Sequence, residues 1–151
     1  FNLFPFVFTF LILFFSSLLF FRSALFSYSY FYFPKNTEQY IVKINDVLSS
    51  VKLPILVELG HIKMVDFVAT IQQETVKFSG IVKNNSSRPI LTPRIRILAI
   101  REDRKILMEK IIVTNEKIIM PSSTIEFNDF SRINSKEENI SVKAVILKKL
   151  F

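Results

Sequence analysis

The chain has 151 residues, 20 Lys and Arg against 13 Asp and Glu, and a formal net charge of +7. It has no cysteine, one histidine (His61) and two glycines (Gly60 and Gly80). Within these residues that excludes disulfides, thiol nucleophiles, cysteine-ligated zinc and a glycine-rich phosphate loop. The basic residues are scattered, whereas nucleic-acid-binding proteins concentrate them on one face, so no nucleic-acid partner is expected.

Residues 1–33 form an almost unbroken apolar, aromatic run in which Arg22 is the only charge. Asn2, Thr9, Ser16 and Ser17 are the only polar side chains up to residue 21. A helix rises about 1.5 Å per residue, so roughly 20 residues cross a hydrocarbon core of ~30 Å. The run predicts a membrane-spanning helix, making the lipid bilayer the partner of residues 1–33. A secretory signal has a basic start, a run of about 7–15 apolar residues and a small-residue cleavage site. Here no basic residue precedes the run, the run is longer, and Ser23-Ala24 is the one small pair nearby. A soluble core helix of this length needs more protein around it than the remaining residues supply. Tyr28, Tyr30 and Tyr32 put a membrane–water interface at 22–33, where tyrosine rings stay apolar and their hydroxyls wet. The chain opens on Phe1 and not on Met, so further sequence is expected upstream.

Pro34-Lys35-Asn36-Thr37 breaks the run, with Thr37 as the expected helix cap. Tyr40, Ile41, Ile44, Val47, Leu48 and Val51 follow at helical spacing, with Lys43, Asp46, Ser49 and Ser50 on the other side. This predicts an amphipathic helix within a juxtamembrane segment 34–60, ended or kinked by Pro54. A second short turn is expected after Pro54, with Gly60 as its C-cap.

From residue 61 the pattern is that of strands. Segment 62–74 alternates imperfectly, with Val65 and Phe67 expected on one face. Val76, Phe78, Gly80 and Val82 share a face of the next strand. Asn84-Asn85-Ser86-Ser87 reads as a turn, and Pro89 and Pro93 bracket a short edge connection. Residues 94–101 are the clearest strand, and Glu102-Asp103-Arg104-Lys105 turns it back into 106–114. Strands follow at 123–130, with Ile125 and Phe127 inward, and at 140–149, with Ile140, Val142, Ala144 and Ile146 on one face. Six or so short strands divided by turn signals predict a mainly β fold, an immunoglobulin-like antiparallel β-sandwich over 61–151.

The candidates for chemistry are few. His61 has no second histidine or cysteine beside it and reads as a helix-end or solvent-facing residue. Glu137 and Glu138 are adjacent in a loop, and nothing fixes them at a glycosidase-like separation. Neither a nucleophile–base pair nor a ligand cluster is visible, so no enzyme, cofactor or metal is expected. Arg88, Arg94, Arg96 and Arg101 are candidates for a surface that touches anionic lipid or a partner, although Glu102, Asp103 and Glu109 intersperse them. Asn84-Asn85-Ser86, Asn85-Ser86-Ser87 and Asn139-Ile140-Ser141 match glycosylation sequons, a pattern common by chance.

Gly80-Ile81-Val82-Lys83-Asn84-Asn85-Ser86 followed by Pro93-Arg94-Ile95-Arg96-Ile97 resembles the pattern of the bacterial domain-of-unknown-function family 3426. The order of apolar helix, Pro54 to Gly60 as P-x-x-x-x-L-G, and glycine–asparagine strand is similar over about residues 1–150. The resemblance implies a single-pass inner-membrane protein with an immunoglobulin-like sandwich outside the cytoplasm, and it implies no activity. Many members also carry an N-terminal zinc ribbon, which residues 1–151 lack. Desiccation-related and small lipoprotein-like sandwiches have similar strand patterns. Arg22 and Lys35 follow the apolar run, and positive residues favour the cytoplasmic flank, which opposes the implied topology. The expected function is that of a membrane-anchored, non-enzymatic interaction module whose partner is an envelope protein. The alternative is binding to an anionic lipid surface through the arginine-rich strand.

Overall fold

The structure, a computed structural model of the chain, describes residues 2–55, 59–134 and 139–148, and of Glu38, Gln39 and Leu59 the backbone alone. Contacts divide the chain into two compact units, Phe1–Ile55 and Leu56–Phe151. Among the described residues the α-helices lie in the first and the strands in the second.

The first unit contains α1 (Phe4–Phe20), α2 (Arg22–Tyr32) and α3 (Pro34–Ser50). Pro5 sits in the opening turn of α1, where its missing N–H costs nothing. No residue of α1 is buried. Its 17 residues rise about 25 Å, and the helix stops at Phe21. Among the described residues no single helix is long and apolar enough to cross a membrane; α1 and α2 reach that length and composition only as a pair, bent by 71°. At the break the Arg22 guanidinium donates from Nη1 to the Leu19 carbonyl at 2.7 Å and from Nε to the Pro54 carbonyl at 2.8 Å. A cation thus sits at the carbonyl end of α1, where the helix dipole favours it.

Proline again explains the next break. Phe33 precedes Pro34, which disfavours the helical region for it, and Phe33 takes φ −134° and ψ 62°. Helix α3 therefore starts at Pro34, and Thr37 is not its cap. Thr37 is buried in the first turn and its hydroxyl donates to the Phe33 carbonyl at 2.9 Å. The helix ends at Ser50, ahead of Pro54, in a Schellman motif. Lys52 N–H bonds Ser49 O, Leu53 N–H bonds Leu48 O, and Lys52 takes a positive φ of 63°.

The second unit is mainly antiparallel β. After a 3-10 turn at Leu59–His61 come β1 (Ile62–Gln72), β2 (Thr75–Asn84), β3 (Ile90–Leu91), β4 (Ile95–Arg101), β5 (Ile106–Ile112), β6 (Ile118–Ile119), β7 (Thr124–Arg132) and β8 (Ile140–Ile146). They form three sheets, ordered β1-β2-β7, β3-β6 and β5-β4-β8. Gly60 lies inside the 3-10 turn without a positive φ, so it does not act as the expected left-handed cap.

The inward faces of both three-stranded sheets supply one apolar cluster. Val76, Phe78 and Val82 of β2 and Ile125 and Phe127 of β7 meet Ile95, Ile97 and Ala99 of β4 and Met108 and Ile112 of β5. The alternations expected for β2, β7 and β8 place their inward residues there. In β1 the reading fails by one residue. The register slips between Met64 and Asp66, so Val65 is the extra residue of a bulge. Met64 and Phe67 both pack on the core, and Val65 is exposed.

Gly80 and Asn84 of β2 are fixed by packing. A β-carbon on Gly80 would lie 2.6 Å from Cε1 of Phe127 and 3.1 Å from the Asp66 carbonyl. The missing side chain is the space in which the Phe127 ring lies, stacked at 6.4 Å on Phe67. Asn84, expected in a turn, is the last residue of β2 and 0% exposed. Its Nδ2 donates to Arg88 O at 2.7 Å and Ile119 O at 3.0 Å, and its Oδ1 accepts from Ser86 N at 2.9 Å and Ser86 Oγ at 2.7 Å. This carboxamide has all its donors and acceptors used.

Asn84→Ala strands two carbonyls and the Ser86 donors, and is expected to cost about 3 kcal/mol. Gly80→Ala is expected to cost about 1–3 kcal/mol by overpacking against Phe127. Urea unfolding of the full chain in detergent, followed by far-ultraviolet circular dichroism, checks both against a surface control, Lys77→Ala.

Candidate interaction surface

The structure does not gather the four arginines. Arg94 precedes β4 and Arg101 ends it. Seven residues of strand separate them by about 23 Å. Arg88 lies in the loop that Asn84 organises. Arg96 points outward from β4 between Ile111 of β5 and Val145 of β8. Its Nε lies 3.1 Å from Glu109 Oε1, with both side chains more than two-fifths exposed, a pair worth at most about 1 kcal/mol. The outward face of β5-β4-β8 thus alternates Arg96, Glu109 and Lys143 with Leu98, Ile111 and Val145, and the sequence shows that mixture without the pairing.

Arg101 serves its own hairpin. Its Nε donates to Asp103 Oδ1 at 2.9 Å, its Nη2 also bonds Oδ2, and Lys105 N–H reaches Oδ1 at 3.1 Å. Hydrogen bonding from the Arg101 side chain and then from the Lys105 backbone lowers the Asp103 pKa from 3.8 to about 2. Arg104 takes φ 66° in the loop 102–105, a left-handed residue of the kind that such hairpins use.

A better-formed surface lies on the outward face of β1-β2-β7. Register places Thr70, Lys77 and Phe130 side by side across the three strands, with Val68, Ser79 and Asn128 in the next row. Together they line a shallow groove of about 350 Å³. Phe130 is 61% exposed. Lys110 reaches it from β5 of the other sheet: Nζ donates to Phe130 O at 2.9 Å, pairs with Asp129 Oδ2 at 2.7 Å, and lies 5.9 Å from the ring centroid. The Lys110 hydrogen bond, then the Phe130 backbone N–H, holds the Asp129 carboxyl below its usual range. An exposed aromatic beside lysine and amide groups, held by a cross-sheet ion pair, suits recognition of a mixed polar and apolar surface. Strand parity carries the signal for it, because Phe130 is three residues from inward Phe127 and so faces out.

The remaining candidates lie apart from this groove. His61 is exposed, and its carbonyl accepts from Asn85 N–H at 2.8 Å. Glu137 and Glu138 lie outside the described residues. Among the described residues no three His, Cys, Asp or Glu side chains are grouped to hold a metal ion. The first sequon is occupied structurally, since the Asn84 carboxamide is buried and fully bonded. Comparison with protein-family models, curated proteins and solved structures finds no match.

Because its folded pKa is depressed, Asp103 stabilises the hairpin above pH 3.8, and that contribution is lost as the pH falls through about 2. Carboxyl carbon NMR of the full chain should find Asp103 titrating near the lower value, and Arg101→Gln should move it back toward the upper one.

Proposed function

We propose that the chain is a single-pass membrane protein of the bacterial inner membrane, carrying a non-enzymatic β-sandwich of immunoglobulin-like type that binds another envelope protein outside the cytoplasm. One observation carries the reading: α1 is an uncharged apolar helix none of whose residues is buried. Apolar surface in water is unfavourable by about 25 cal/mol per Å², so a helix of this kind calls for lipid as its solvent. The bent pair of α1 and α2 supplies the length for a broken span, and the exposed rings of Tyr28 and Tyr32 suit its interfacial end.

The inward faces of β1-β2-β7 and β5-β4-β8 share one core, as facing sheets of a sandwich do. The glycine–asparagine pattern supports kinship with family 3426: Gly80 admits the Phe127 ring, and Asn84 bonds the loop and β6. These are structural reasons for those two residues, and they point to a fold and not to a reaction. Binding is assigned to the Phe130 groove, where an exposed aromatic ring and Lys77 meet on the sheet. The arginine-rich strand is the weaker surface, because Arg96 pairs with Glu109 of β5 and Arg101 with Asp103 of the hairpin loop.

Carbonate washing of bacterial membranes tests the anchor: the full chain should stay in the pellet, and recovery in the supernatant would sink the assignment. Protease added to spheroplasts should then remove residues 59–151 without lysis, whereas protection until lysis would place this unit in the cytoplasm.

A further inference from the structure

Helix α3 does not bury its most apolar face. Among the described side chains of α3, Thr37, Ile41 and Asn45 are the buried ones, spaced four apart. Ser27 and Tyr30 of α2, which packs on α3, are buried as well. Asn45 is satisfied there by accepting the Ile55 N–H at 2.8 Å. Tyr40, Ile44, Val47 and Val51 of the amphipathic pattern are exposed, Val47 by 66%, and Leu48 is half-buried. At about 100° per residue these four fall within roughly 60° of one another, beside the buried stripe; Asp46 and Ser49 lie about 100° or more from the nearest of them, and Lys43 flanks Val47 at about 40°. The stripe continues at its upper end into a groove of about 340 Å³ between α2 and α3, lined by Phe26, Phe33 and Tyr40 with Ser29, Asn36 and Thr37.

We propose that this face of α3 lies in the surface layer of the same bilayer that holds α1, with Tyr40, Ile44, Val47 and Val51 dipping into the headgroup–acyl boundary. The inference rests on the membrane reading above and extends it from an anchor to a second, in-plane contact. Three observations select lipid as the occupant. The stripe belongs to the same compact unit as α1, an uncharged and mostly apolar helix with no buried residue, so the medium that covers α1 is at hand for α3. A stripe of aromatic and aliphatic residues on an amphipathic helix describes an interfacial helix, and the exposed Lys43 flanks the stripe, where a long stem reaches anionic headgroups. A second copy docked on the stripe would engage four side chains each, against the roughly 20–30 residues a side of a stable interface. On this arrangement α3 fixes the height of the helical unit at the membrane surface.

The chain has no tryptophan, so single Trp substitutions report without background. Val47→Trp, Val51→Trp, Ser49→Trp and Phe10→Trp are placed in the full chain and reconstituted into phosphatidylcholine–phosphatidylglycerol vesicles with brominated acyl chains. Val47→Trp and Val51→Trp should emit to the blue of Ser49→Trp and lose about half their emission to the bromines, Ser49→Trp losing little. Phe10→Trp should be quenched in every case. Quenched Phe10→Trp with unquenched, red-emitting Val47→Trp and Val51→Trp would overturn the α3 placement and leave the anchor standing. Blue emission at 47 and 51 without quenching would show protein on the stripe, and equal quenching at Ser49 would show α3 immersed; either overturns the proposal. Unquenched Phe10→Trp would remove the anchor itself, and the α3 contact with it.

Discussion

One buried carboxamide governs how the second unit closes. Asn84 has no exposure, and inside a protein an unpaired amide donor or acceptor costs about 1–3 kcal/mol. Its four side-chain hydrogen bonds therefore act as a constraint on whatever surrounds it. Two of them hold the 85–89 loop through Ser86, one reaches Arg88 O, and one crosses to Ile119 O of β6. The backbone adds to this: Asn84 N–H bonds Ser123 O and Asn85 N–H bonds His61 O. The short β3–β6 pair, only two residues a side, is thus attached to the end of a long strand. Without that attachment a ladder of this size has too few bonds to persist on its own. A turn of ordinary chemistry would have ended β2, but it would not have joined it to β6.

The core obeys a second, steric constraint. Phe127 needs the volume above Gly80, and Phe67 needs to stack on Phe127. Phe67 comes from β1, an edge strand, and it faces inward only because the bulge at Val65 shifts the register by one residue. Edge strands commonly carry such bulges, which also twist the edge away from further pairing. Glycine, bulge and stacked rings are therefore one device: remove the glycine and the ring has no place, remove the bulge and the partner ring turns to solvent. Lys110 acts between the sheets in a different way, since its bonds to Asp129 and Phe130 O tie the β5 edge to the β7 edge from outside the apolar cluster.

Much of this was legible in the sequence where period and punctuation agree. β2, β7 and β8 follow strict alternation, and their inward residues are the ones named from pattern alone. The charged hairpin between β4 and β5 was visible in Glu102-Asp103-Arg104-Lys105, though its left-handed Arg104 carries no glycine to announce it. The bulge was illegible because a single inserted residue leaves the composition of β1 unchanged and moves only its parity. Asn84 misled for a related reason. Asparagine in a polar tetrad marks a turn on average, and only the tertiary fold shows that its amide is needed inside. The β3–β6 pair was missed because two residues are too few to show a period. Of the candidate arginines, the sequence showed their clustering along the chain but not their pairing with Glu109 and Asp103. Phe130 was readable by parity from Phe127.

The helical unit shows how local rules cut a long apolar run into pieces. Composition gives no reason for a stop at Phe21, since phenylalanine, leucine and serine continue on both sides. What distinguishes the spot is Arg22, the one charged side chain in the run. It donates to Leu19 O and Pro54 O, so that the cation stays close to helix-end carbonyls instead of lying bare in an apolar stretch. The second stop, at Phe33, is set by the proline that follows. Together the two breaks fold an otherwise uniform segment into α1, which buries nothing, and the α2–α3 pair, which buries Ser27, Thr37 and Asn45 among its apolar contacts. Polar groups inside a pair of helices need partners, and here they find them on backbone carbonyls one turn away or on Ile55 N–H. These bonds are local, and the buried apolar side chains of the pair are Tyr30 and Ile41, while Tyr40, Ile44, Val47 and Val51 remain outside, on the same unit as the uncharged and unburied α1.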